Sequence, residues 1–189
     1  DRYGFVARAL HRTLSILIFL QLAGGLAAAG SEEVAHKITI LKLHATLGIL
    51  IGLVAAARLV WWLVYDKRPQ DVADMPRIQA LASHGVHGLL YLLPLAAVVT
   101  GMALLSGSGA SAFVFGGATG AFPDLRAAAG FTAHWLAVMG LAGFLVVHIC
   151  ATIHHLFVKR DNIAARLTRD EPVPPTVPAE AQISAGSHR

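Results

Sequence analysis

Residues 133–158 read AHWLAVMGLAGFLVVHICATIHHLFV. No Asp, Glu, Lys or Arg interrupts the run. A helix rises about 1.5 Å per residue, so about 20 such residues cross a hydrocarbon core about 30 Å thick. Inside lipid the backbone must satisfy its own hydrogen bonds, so an unbroken apolar run of this length reads as helix rather than strand. The same run carries His134, His148, His154 and His155. An ionisable ring inside a spanning helix is costly, and it marks either function or a polar contact between helices.

Working outward, three more apolar blocks precede this one, at about residues 10–29, 38–64 and 78–105. The chain is 56% hydrophobic and 14% charged, whereas a soluble domain carries about 25% charged residues. No block shows the wide charged face that a soluble helical bundle would need. The expected fold is therefore all-α: an integral membrane four-helix bundle spanning residues 1–168, with a Pro-rich tail over 169–189. Pro172, Pro174, Pro175 and Pro178 predict an extended or disordered tail. The first block is too long for the apolar region of a cleaved signal peptide and precedes no soluble domain, so it is expected to stay as a helix.

Lys and Arg set the orientation. Arg2, Arg8 and Arg12 lie at the start of the first block. Arg58, Lys67, Arg68 and Arg77 surround the second connection, and Lys159, Arg160, Arg166 and Arg169 follow the fourth block. The other two connections carry Lys37, Lys42 and Arg126. Cytoplasmic loops hold the positive excess, so both N and C termini and the second connection of this multi-pass chain are expected on the cytoplasmic side. This bias accounts for the net charge of +4 and gives no reason to invoke nucleic acid. The single cysteine, Cys150, lies within the fourth block and reads as a small packing residue. The third connection, about residues 106–130, is the longest. Phe113, Val114, Phe115 and Phe122 make it apolar enough to lie on the membrane or cover a site as readily as merely connect.

Ten histidines is a high count for so apolar a chain. His11, His44, His84, His87, His134 and His148 fall inside or at the edge of the blocks, and His154 and His155 close the last one. His44 and His134 both sit near the periplasmic start of their helices and can face each other. His148 follows His134 by fourteen residues, about 21 Å along the axis and nearly the same face. His11 and His87 reach the depth of His148. Two stacked imidazole pairs suit two b-type haems, each iron taking two axial histidines. Gly24, Gly25, Gly48, Gly52, Gly140 and Gly143 leave room for flat macrocycles or, equally, for close helix packing. Zinc fits less well, since the histidines spread along the axis rather than gather as three or four ligands.

At this point the chain resembles the bacterial di-haem cytochrome b561 family over about residues 2–167, which implies a multi-pass protein of the bacterial inner (cytoplasmic) membrane. The likeness rests on Arg2-Tyr3, Leu10-His11, Leu43-His44 with Gly48, and Ala56-Ala57-Arg58-Leu59. It continues through Leu81-Ala82-Ser83-His84-Gly85-Val86-His87, Tyr91-Leu92-Leu93, Gly101 and His134-Trp135. It closes on His148 and the stretch His154-His155-Leu156-Phe157-Val158-Lys159-Arg160-Asp161-Asn162. The resemblance implies His44 with His134 on a periplasmic haem and His11 with His148 on a cytoplasmic one. It also brings Arg58, His84, His87, His154 and His155 to the surroundings of the cofactors. The family usually has Trp where Arg12 stands here, which bears on the cytoplasmic haem edge.

A member of that family oxidises superoxide and reduces ubiquinone, so the resemblance implies a superoxide:ubiquinone oxidoreductase. An anion is drawn by positive charge near the site, and Lys42 and Arg126 are the candidate residues for that role, with Glu32 and Glu33 opposing them mildly. Quinone reduction also needs protons, for which His84, His87, His154 and His155 are the candidate relays. The alternative is a cytochrome b anchor subunit that passes electrons between a periplasmic hydrogenase or dehydrogenase and quinone. In that case the third connection would dock the periplasmic redox protein.

Overall fold

The structure is a computed structural model, and it describes residues 5–64 and 77–159. The second connection and the Pro-rich tail, with Lys67, Arg68 and the 168/169 boundary, lie outside the described residues. Four long helices carry the fold: α1 (Phe5–Gly30), α2 (Val34–Val64), α3 (Arg77–Gly107) and α5 (Gly130–His154). Between α3 and α5 stand a short helix, α4 (Ala110–Val114), and a 3-10 turn (Leu125–Ala127). A π-helical turn, His155–Lys159, continues α5. All four long helices are long and apolar enough to cross a membrane.

The helices overrun the apolar blocks at their ends. α1 begins at Phe5 rather than near Leu10, because Arg8 and Arg12 can lay their stems along the helix while the charged heads reach the interface. α2 begins at Val34 rather than near Ile38. Glu32 and Glu33 stand just before it, where the positive end of the helix dipole favours carboxylates. That local role accounts for two acidic residues at this end of the bundle.

α3 packs most extensively on α5, α1 packs on α2, and α2 joins α3. The buried centre is narrow: Leu14 and Ile18 of α1, Ile51 and Ala55 of α2, and Leu141 of α5. Pro94 is fully buried in the middle of α3. Large apolar side chains such as Ile16, Leu20, Leu53, Val99, Val146 and Phe157 are exposed, which is the surface that lipid covers. Among the described residues no polar or charged side chain is fully buried.

The third connection folds back onto the bundle. Gly109 adopts φ 77° ahead of α4, a left-handed conformation that only glycine takes freely. Leu105, Ala110 and Val114 then form a second buried cluster, against which Leu41, Ala45, Phe122 and Leu125 pack. The Phe113 and Phe122 rings meet at 5.5 Å. The segment is thus a packed cap on α2 and α3 at the end of the bundle that holds His44, and covering outweighs mere connection.

Ala55 is 1% exposed between helices, while Leu53 on the same helix is 65% exposed. Ala55→Leu should therefore overpack the centre and cost about 1–3 kcal/mol. Leu53→Ala should cost much less. Thermal unfolding of the detergent-solubilised protein checks this, and equal losses in the two variants would contradict the packing described.

Candidate functional site

Two histidine tiers lie inside the bundle. At one end His44 of α2 faces His134 of α5, with ring centroids 6.4 Å apart and planes at 89°. At the other, His11 of α1 faces His148 of α5 at 6.5 Å and 79°. The fourteen-residue step along α5 gives both tiers one helix face. His87 of α3 joins the second tier, its ring 5.2 Å from that of His148. Among the described residues no group of three or more His, Cys, Asp or Glu side chains gathers as a metal-ion cluster.

The hydrogen bonds fix the tautomers. His134 Nδ1 lies 3.0 Å from the Ala97 carbonyl. A carbonyl only accepts, so Nδ1 carries the proton and Nε2 keeps its lone pair. Thr100 Oγ1 stands 3.4 Å from the same nitrogen. His87 follows the same rule, with Nδ1 2.7 Å from the Ser83 carbonyl. At His44 the Gln21 amide nitrogen lies 3.2 Å from Nε2 and donates to the His44 carbonyl at 2.9 Å. An amide nitrogen only donates, so this Nε2 also presents a lone pair. Among the described residues His44 Nδ1 and Gln21 Oε1 are both buried without a hydrogen-bond partner.

Glycines seat the rings. A Cβ on Gly25 would come within 3.2 Å of the His44 ring, and one on Gly101 within 2.9 Å of the His134 ring. A Cβ on Gly48, Gly52 or Gly140 would instead meet the side chain of Gln21, Val98 or Leu93, at 3.0, 3.2 and 3.4 Å respectively. At these three positions helix packing, not open space, accounts for the missing side chain. Gly143 has nothing within 4 Å.

The remaining candidates spread outward. The Arg58 guanidinium stands 5.4 Å from the Tyr91 ring centre, and Arg58 and Arg12 act electrostatically on His11. His84 is exposed on α3. The His154 and His155 rings meet at 6.1 Å where α5 passes into its π turn. Lys42 is exposed; two helical steps turn it about 200° from His44, so it does not share that ring's face. Arg126 is exposed in the 3-10 turn, where its backbone N–H is held by Asp124 Oδ1 at 2.9 Å. The sequence reading passed over Gln21, Ala97 and Thr100. Gln21 had a signal, being a lone amide in the middle of an apolar helix.

The donor set fits haem. A metal with an imidazole nitrogen about 2 Å away on each side holds the two ring centroids about 6.4 Å apart. Nδ1–H anchored on a carbonyl with Nε2 free is the form in which histidine ligates, and His134 has it. A lipid-facing bundle with two imidazole pairs at that separation is a membrane electron-transfer protein. Residues 2–169 match the family model of prokaryotic cytochrome b561, and the chain belongs to that family, which uses haem b and is multi-pass in the inner membrane. No individual curated protein matches the chain.

Gly101→Leu should drive the His134 ring from its seat, whereas Gly85, with nothing within 4 Å, should accept alanine. Haem content per chain and the absorption spectrum of the purified variants check this. A parental spectrum in Gly101→Leu would show that the ring is not seated there.

Proposed function

We propose that the chain is a di-haem superoxide:ubiquinone oxidoreductase, with both termini and the His11–His148 tier toward the cytoplasm and the His44–His134 tier toward the periplasm. The observation that carries the reading is the pair of imidazole tiers, each at the separation of a bis-histidine metal site and each at its own depth. His44 and His134 would hold one haem; His11 and His148 would hold the other. When bound, the haems supply one-electron transfer between the two faces of the membrane.

The chain's own residues supply the rest. Superoxide is an anion and pays heavily to enter the apolar core, so it has to be met at the surface. Lys42 and Arg126 are the cations for that end, and the capped loop carries Arg126 on a folded turn. Because Lys42 points away from His44, its ammonium acts by steering rather than by contact. Two superoxide ions give up two electrons and leave as two O2; ubiquinone takes those electrons and two protons to become ubiquinol. Arg58 and Arg12, close to His11, are suited to haem propionates at the second tier. His87, with Nδ1–H committed to Ser83, offers Nε2 to take up and hand on a proton. His84, His154 and His155 extend that relay toward the cytoplasm.

The anchor-subunit reading draws support from the same cap. Phe115 is 48% exposed on it, and a packed apolar platform suits docking of a periplasmic redox protein.

Two measurements test the proposal. His148→Ala should lose about half the haem and His134→Ala the other half, as expected for independent bis-histidine sites; unchanged haem in either would refute the pairing. Stopped-flow mixing of the oxidised protein with superoxide should give fast haem reduction that slows with salt, and slows in Arg126→Ala and Lys42→Ala. Reduced protein should then be reoxidised quickly by a ubiquinone analogue. Superoxide reduction no faster than for free haem in detergent leaves the anchor-subunit reading in its place.

A further inference from the structure

Gln21 stands on α1, the helix that also carries His11, and its amide nitrogen meets His44 of α2 twice: the backbone carbonyl at 2.9 Å and the ring Nε2 at 3.2 Å. Two buried atoms are left over, and they belong to these same two side chains. His44 Nδ1 is a donor, since Nε2 presents its lone pair to the amide nitrogen. Gln21 Oε1 is an acceptor. Among the described residues neither has a partner. A buried polar group without a partner is costly, and here the two are chemically complementary. His134, the opposing ring, already has its Nδ1–H on the Ala97 carbonyl. His44 has no such carbonyl.

We infer that Gln21 is the positioning residue of His44: its amide holds the ring and takes up the hydrogen bond of the ring nitrogen that does not ligate. The inference rests on the di-haem reading above. Once Nε2 gives its lone pair to a metal, the amide nitrogen loses that acceptor but keeps the His44 carbonyl. The polar atoms then left on the pair are Nδ1–H and Oε1. A hydrogen bond from Nδ1–H raises the basicity of the ligating nitrogen, and a more basic imidazole favours the ferric over the ferrous state. Gly48 sets the amide's place, because a Cβ there would come within 3.0 Å of Gln21 Nε2. Gly24 and Gly25 lie along the ring's Nδ1–Cε1 edge, where an added Cβ would come within 3.6 Å of Nδ1 and 3.2 Å of Cε1 respectively. The amide is therefore confined between a ring and a backbone, which is what a positioning group requires.

The experiment is redox titration of the full-length, haem-loaded protein, with haem content measured alongside. In Gln21→Leu one midpoint potential should rise and the other stay. In Gln21→Glu, whose carboxylate is the stronger acceptor, the same potential should fall. Gly48→Ala keeps the amide but displaces it, and should move that same potential even if Gln21→Leu fails to fold. The low-spin electron paramagnetic resonance signal should change for one haem only. Both potentials unchanged in all three variants, or a shift of the same sign in Gln21→Leu and Gln21→Glu, would overturn the inference. A parent protein lacking two haems would instead overturn the di-haem reading, so the two failures are distinguishable.

Discussion

A polar atom inside this bundle has no water to fall back on, and the imidazole ring is the side chain for which that constraint is hardest to meet. Each ring carries one donor and one acceptor on opposite edges. The protein answers the donor edge from its own backbone where it can, with Ala97 for His134 and Ser83 for His87. The acceptor edge is left for something else. The helices are placed to make this possible: α3 packs against α5 and brings the Ala97 carbonyl to His134, while α1 packs against α2 and brings Gln21 and Gly25 to His44.

The four helices were legible in the sequence because lipid leaves the chain so few choices. An apolar run of the right length has to be helical, and its position follows within a few residues. The ends were less legible, since Arg8, Arg12 and the residues before Ile38 are tolerated in a helix that projects beyond the hydrocarbon. The tier partners were legible for a related reason. Depth is the one coordinate that a membrane imposes on a sequence: it matched His44 with His134, but it left both His11 and His87 beside His148, and only the family resemblance chose His11.

What sequence reading missed lies at right angles to depth. Which glycine faces a ring and which faces a neighbouring side chain depends on helix rotation and crossing. Gly48 and Gly140 therefore looked like Gly24 and Gly25 until the helices were set against one another. Lys42 is the same kind of case: it is near His44 in sequence, yet two helical steps carry it round to another face. α4 was hidden for a different reason. A helix of five residues has no periodicity to read, and it exists because Ala110 and Val114 fill a space that α2 and α3 leave open.

Pro94 divides α3. Having no N–H, it leaves the Leu90 carbonyl without its helical donor, and the ring crowds the preceding turn. On one side of it lies the half of α3 with His84 and His87; on the other lies the half with Ala97, Thr100 and Gly101. Each half serves a different tier. The missing hydrogen bond weakens the coupling between the two halves of this continuous helix, so a side chain can be accommodated at one end with less disturbance of the other. The bundle is in this respect two modules sharing a single continuous partner, α5. Sequence change can accumulate around one imidazole pair while the other keeps its geometry.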